Sequence, residues 1–208
     1  MDLKVRGWAS PIPYGTSEET SIVLDKASHD DFAAWDFAAC APIEDWPKDA
    51  RMSCVDLEGN RSPDDVVPNH LGLIVVSQKC RDTMEEVPGI GNCVQFLPVQ
   101  LDYRGEDFGV YYVVNVIASV AAFDNERSRY DVYTSLDVGG QPIGSVKSIR
   151  RLVLLPGALK ADVPVFRLRE KLTWVLFSPL LRSVIDLAGV TGFDWWEVAL
   201  SSDAPSGN

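Results

Sequence analysis

The segments "VSQKCRDTMEEVPGIGN" (76–92) and "FSPLLRSVIDLAGVTGF" (177–193) constrain the fold of this chain more than any other feature of it. With Ser77 set over Ser178, Arg81 falls on Arg182 and Gly91 on Gly192. In the later segment Ser178 is placed as an N-cap, its hydroxyl accepting from a backbone N–H that has no partner inside the helix. Pro179 then takes the first helical position, where a missing donor costs nothing. Leu181, Val184, Ile185 and Ala188 follow at the i, i+3, i+4, i+7 spacing of one buried face. Gly189 stands where helices commonly stop in a left-handed residue, and "FDWWEV" returns as a strand. The earlier segment reads the same way. Ser77 caps, Cys80, Thr83, Met84 and Val87 form the buried face, Pro88–Gly89 ends the helix, and "VQFLPV" is the returning strand. Both are strand, capped helix, glycine-rich turn, strand. The repeated letters are mostly those this geometry demands, so the recurrence reads as a scaffold and not a catalytic motif, with Arg81 and Arg182 expected in solvent.

Other strands are legible between the two units. "LGLIVV" (71–76), "VQFLPVQL" (94–101), "GVYYVVNVIASV" (109–120) and "IRRLVLL" (149–155) are rich in β-branched and aromatic residues, and Gly or Pro bounds several of them. "YYVVNVIASVAAF" is apolar almost throughout, which predicts a strand buried on both faces. Trp195 and Trp196 are adjacent, so a strand there points them to opposite faces, at least one into the core. The expectation is a single α+β domain: a mostly antiparallel or mixed sheet of five or more strands with a few flanking helices, including the two strand–helix–strand units. Residues 1–65 read as an acidic, proline-punctuated N-terminal lobe of that domain, 66–200 as its core, and the polar tail 201–208 as disordered.

Charge narrows the choice of partner. The 208 residues carry a formal net charge of −11. Residues 1–65 hold 14 acidic and 6 basic side chains, against 16 and 13 in the remainder. Nucleic acid and anionic membrane both select basic surfaces, so neither is expected as the main partner. A basic protein partner is compatible, and its approach would be accelerated electrostatically. No apolar run of membrane-spanning length occurs, and the opening "MDLKVRGWASPIPYG" has no continuous apolar stretch of the kind a secretion signal needs. The four cysteines (Cys40, Cys54, Cys80, Cys93) show no paired spacing, which fits reduced thiols in a cytoplasmic protein. His29 and His70, the only two histidines, read as surface or satisfied side chains.

No constellation for catalysis or metal binding emerges. A Ser or Cys nucleophile needs a neighbouring base, and no GxSxG or histidine-paired context is present. Neither HExxH, a Cys/His cluster nor a DxDxDG loop occurs, so no metal or cofactor is expected. The paired aspartates at 30–31 and 64–65 read as solvated acidic loops. "GIGN" (89–92) follows a helix, whereas a phosphate cradle precedes one. "DNERS" (124–128) is expected to be a polar turn capped by Asp124 or Asn125.

The order of segments carries more information than any one of them. "LIVVSQKCRDTME", "GNCVQFLPVQL", "VYYVVNVIASVAAFDNERS", "PVFRLRE" and "LFSPLLRSVIDLAGVTGFDWWEV" succeed one another in a pattern that resembles the Imm11 family of bacterial immunity proteins, over about residues 66–198. The resemblance implies a protein without catalytic residues. It would bind a cognate toxin domain encoded by a neighbouring gene of a polymorphic toxin system and neutralise it stoichiometrically. An acidic protein suits a basic toxin, because carboxylates can occupy the place of phosphates. The candidate toxin contacts lie in the acidic first third: Asp30, Asp31, Trp35, Asp36, Glu44 and Asp45. "DDFAAWDFAAC" interleaves carboxylates with aromatic anchors, although Phe32, Trp35 and Ala39 also match a core-facing helical stripe. Two readings of other classes stand beside this one. The first is a small-substrate hydrolase using cleft carboxylates such as Asp124 and Glu126; the second is a regulatory or scaffold domain of a larger assembly. Oligomeric state is left open by the sequence.

Overall fold

The computed structural model describes residues 7–11, 22–27, 37–56, 63–69, 72–103, 105–137 and 139–201. Its strands are β1 (Ala9–Pro11), β2 (Ile22–Ala27), β3 (Arg51–Asp56), β4 (Val75–Ser77), β5 (Val94–Tyr103), β6 (Glu106–Val116) and β7 (Ser119–Val120). They continue as β8 (Arg129–Val132), β9 (Val146–Arg151), β10 (Val153–Leu154), β11 (Val165–Leu168), β12 (Lys171–Phe177), β13 (Trp195–Glu197) and β14 (Ala199–Leu200). Two α-helices lie wholly within the described residues, α1 (Gln78–Glu85) and α2 (Pro179–Leu187). This is an α+β fold of mixed sheets. Two five-stranded sheets form where one was expected, ordered β2-β3-β5-β6-β4 and β13-β1-β12-β11-β7. β3 runs parallel to β5 and β7 parallel to β11, while the other pairs of these two sheets are antiparallel. Residues from the first third enter both sheets, since β1 lies between β12 and β13 and β3 pairs with β5.

Side-chain alternation distributes the strands among three apolar clusters. On β6, Tyr111 and Val113 enter a first cluster with Phe37, Met52, Leu97 and Leu101. Val114 and Val116 point the other way, into a second cluster, so this strand is buried on both faces as its sequence predicts. The second cluster holds Cys80 and Met84 of α1, Leu181 and Ile185 of α2, and Val165, Val175 and Phe177 of the second sheet. Phe166, Leu168 and Leu176 alternate away into a third cluster with Trp8 and Leu154. Both helices therefore pack on a core that the two sheets share. No helix among the described residues is long and apolar enough to cross a membrane.

The two recurring units are built as their capping chemistry predicts. Ser77 Oγ accepts from Cys80 N and Ser178 Oγ from Leu181 N, each at 3.2 Å. Gly189 follows α2 with φ 61°. Ser77→Ala and Ser178→Ala should each lower stability by about 1 kcal/mol, read as a shift of the urea midpoint without a change of slope.

Three local expectations need correction. Arg182 is not solvated: it is 4 % exposed, and its guanidinium stands 5.2 Å from the Trp195 ring. Its Nη1 approaches Glu197 Oε1 to 2.7 Å, at an angle outside hydrogen-bond geometry. The cause is β13, which returns beside α2 and covers a flank of the helix that apolar spacing alone leaves to water. Ala188 is exposed, because α2 ends at Leu187 before that position turns inward. The tryptophan expectation holds. Trp195 stacks on Phe193 at 4.7 Å against the second cluster, while Trp196 lies outward against Trp174. "LGLIVV" forms a strand only from Val75 onward. His29, His70 and Phe32 lie outside the described residues, as does the tail beyond Ser201.

Candidate partner-binding groove

The face of β5 and β6 that belongs to the second cluster is only partly covered. α1 packs on β4 and β6, and Val94, Phe96, Val114 and Val116 lie under or beside the helical layer. Farther along the hairpin, Pro98 pairs with Tyr112 and Gln100 with Val110, and here the same face is open. Val110 is 46 % exposed. A recess of about 510 Å³ lined by Arg81, Glu85, Phe96, Pro98 and Tyr112 meets a second of about 220 Å³ lined by Lys48, Arg51, Gln100 and Val110. Pro98 belongs to both, so the two make one groove with an apolar floor.

Its walls are ordered by their own interactions. Arg81 donates from Nε and Nη2 to Glu85 Oε1 at 3.1 and 3.0 Å, and its guanidinium lies 4.7 Å over the Tyr112 ring. The Tyr112 hydroxyl bonds to Gln78. Arg51 Nε donates to Asp102 Oδ2 at 3.0 Å, and this bond holds the Asp102 carboxyl below its usual range. Along the opposite edge of β5, Gln95 grips the backbone of Ile43 twice, accepting from its N–H and donating to its carbonyl, both at 2.9 Å. Trp46 Nε1 donates to Pro98 O at 2.7 Å. Glu44 and Asp45, between those anchors, are exposed but line neither recess; Ile43 and Trp46 pack against the first cluster, and the residues of this stretch that reach the second recess are Lys48, Asp49, Ala50 and Arg51. An apolar, aromatic centre with a charged margin is the anatomy of a protein interface. Asp30, Asp31, Trp35 and Asp36 lie outside the described residues. The floor residues Phe96, Pro98, Val110 and Tyr112 went unnoticed in the sequence. Their signal was present: "QFLPVQ" is apolar at Phe96 and Pro98 as well as at Leu97 and Val99, so neither face of the strand reads as polar.

Among the described residues, those singled out for chemistry are held in structural roles. Asp124 accepts from the backbone of Glu126 and Arg127 at 3.0 Å each, pairs with Arg127 at 3.2 Å and takes the Ser201 hydroxyl. The Ser201 bond first, then those of Arg127 and Glu126, hold its carboxyl below the usual range. It caps the "DNERS" turn as expected, and Glu126 is exposed, so the two do not converge as a cleft pair. Burial raises all four thiols, Cys54 to about 12, which keeps them protonated and poor nucleophiles. Among the described residues no group of three or more His, Cys, Asp or Glu is placed to hold a metal ion. What fold and surface define together is a mixed-sheet α+β protein with an open, partly apolar groove over β5 and β6.

The chain belongs to the Imm11 immunity protein family, whose model matches residues 1–200. The match takes in the first 65 residues, which the resemblance over 66–198 had left out. No curated protein matches the chain.

Proposed function

We propose that this chain is an immunity protein that neutralises a cognate toxin by stoichiometric protein–protein binding and has no catalytic activity of its own. It acts in the cytoplasm of the toxin-producing bacterium, as one component of a polymorphic toxin system whose toxin is encoded by a neighbouring gene. Membership of the immunity family across residues 1–200 is the observation that carries this reading. Asp124 and the cysteines, being committed to structural roles, favour it over a hydrolase. The contacts include the acidic first third, with Asp30, Asp31, Trp35, Asp36, Glu44 and Asp45 as its members, and the toxin presents a basic surface to them.

The test is a titration of the neighbouring gene's toxic domain with this chain, following the domain's own activity. Inhibition should be complete at one equivalent, and mixing should yield a complex that survives size exclusion. Toxin activity unaffected at tenfold molar excess of the folded chain would refute the proposal.

A further inference from the structure

We propose that the outer face of the β8–β9 hairpin docks carboxylates of the toxin domain, with Arg129 and Arg151 as the pair that receives them. The inference rests on the toxin-binding reading above and adds to it a second surface, opposite in sign to the acidic first third.

The hairpin turns its apolar residues inward. Ile149 is buried in the third cluster and Tyr130 packs against it, with the Tyr130 ring 4.9 Å from Phe123. Arg129, Lys147, Arg150 and Arg151 are all exposed. Arg129 and Arg151 are direct cross-strand partners, so their side chains stand on the same face of the ladder. Like charges in that relation repel and weaken the pairing. Asp131 offsets Arg150, and Asp137 offsets Lys147. Among the described residues no carboxylate lies within ion-pair distance of Arg129 or Arg151.

The sign survives a count of the surrounding charges. Residues 129–151 carry four cations and two anions. The turn before them adds Arg127 against Asp124 and Glu126. Residues 169–171, whose Lys171 lies 6.0 Å from the Tyr133 ring, add Arg169 and Lys171 against Glu170. Seven cations thus stand against five anions, a surplus of two in a chain whose total is −11. Two guanidiniums side by side without an anion select a carboxylate or a phosphate. The net charge of the whole chain opposes nucleic acid, which leaves the carboxylates of a protein.

The tip of the hairpin supplies the apolar part of the contact. Leu136 and Ile143, 91 % and 73 % exposed, are the most exposed large apolar side chains among the described residues. The loop that presents them is ordered by its own bonds. Asp137 accepts from Thr134 N and Oγ1 at 2.8 and 3.0 Å, and Tyr133 N donates to Ser145 O at 2.9 Å. Little order is therefore lost when a partner settles there. A basic arm and an acidic first third on one molecule also fix the orientation in which the toxin can approach.

Three proteins test this: the wild type, Arg151→Glu and Leu136→Ser/Ile143→Ser. All the altered side chains are exposed. Arg151→Glu sets a carboxylate opposite Arg129, so the free variant should melt at or slightly above wild type. Binding to the purified cognate toxic domain is measured at low and physiological salt. Arg151→Glu should weaken the complex about tenfold or more at low salt, and by less at physiological salt. The double serine variant should weaken it about tenfold at both, mainly through faster dissociation. A free chain that is no less stable yet binds worse is the mark of a pair kept for docking; a merely structural pair would move both together. Wild-type or tighter binding by Arg151→Glu, with the wild type itself binding tightly, would overturn the docking face and leave the immunity reading standing. Failure of the wild type to bind would remove that reading and this proposal with it. A wild-type dimer that Arg151→Glu dissolves would make a second copy's acids the occupant. An oligonucleotide held at physiological salt by the wild type but not by Arg151→Glu would make the occupant a phosphate backbone. Either result would overturn the assignment to the toxin.

Discussion

Alanine at position 192 is expected to cost about 4 kcal/mol of folding stability, and alanine at position 91, its counterpart in the aligned segments, almost nothing. Gly192 has φ +87°, and a Cβ built there would stand 2.4 Å from the Val66 carbonyl oxygen, 3.0 Å from Asp64 Cβ and 3.1 Å from Val66 N. The obstacle is backbone, and it is held in place. Val66 N donates to Thr191 O at 3.1 Å, and Asp65 ties the same stretch to both units of the fold. The turn cannot yield without losing those bonds, and the left-handed φ adds its own penalty. A Cβ on Gly91 meets nothing within 4 Å and carries no left-handed penalty. The demanding glycine of the first unit is instead Gly89, with φ +86° and a Cβ that would lie 2.3 Å from Asp162 O. Gly192→Ala should melt about 10 °C below wild type, Gly91→Ala within a degree or two of it. Coincident melts for Gly192 and Gly91 variants would show that the turn relaxes freely and that the tight approach is not a constraint.

The second large effect belongs to Asp65. Its carboxylate accepts from Ser77 Oγ at 2.6 Å, Thr191 N at 3.0 Å and Lys79 Nζ at 3.1 Å. Its backbone carbonyl accepts from Ser77 N at 2.7 Å. One side chain thus joins the start of the first unit to the end of the second. Its side chain is 16 % exposed, but Lys79 and Thr191 are exposed and can turn to water when the acceptor is removed, so Asp65→Ala should lose about 1–2 kcal/mol. Burial raises the Asp65 pKa, but the bonds from Ser77, Thr191 and Lys79 outweigh it and hold the carboxyl below its usual value. The folded form therefore binds its proton less readily than the unfolded chain. The clasp's contribution is complete above the unfolded carboxylate value of about 4 and disappears as pH falls through the lower folded value. Urea unfolding of wild type and Asp65→Asn should differ clearly at pH 7, and the gap should narrow on acidification. A gap that stays constant from neutral pH into acid would mean the carboxylate's charge is irrelevant to the junction.

The parts of this fold that were legible in the sequence are those written by local chemistry. Ser77 and Ser178 cap because a hydroxyl at that position can reach a nearby amide, and a dozen residues contain all the information needed. The apolar run of β6 announces two buried faces in the same way, and Asp124 announces its turn. What escaped depends on encounters between distant segments. Arg182 looks solvent-facing until β13 is brought beside it. β1 is three residues with a proline at its end, and nothing nearby signals that it lies between β12 and β13. Gly91 and Gly192 are the same letter at the same offset, and only the position of Val66 tells them apart. The groove escaped for a related reason. An apolar strand face predicts burial, and where the covering helix ends is a property of the assembled layers, not of "QFLPVQ". Glu44 and Asp45 were singled out for charge and aromatic context, whereas the anchoring of their stretch to β5 comes from Gln95 and Pro98, some fifty residues away.

The measurement that tests the central claim most directly is survival. Cells expressing the cognate toxic domain that the proposal places beside this gene should stop growing, and co-expression of this chain should restore growth to the uninduced rate, with the two proteins recovered as one complex. Persistent arrest, with the chain folded and more abundant than the toxin, would contradict the account.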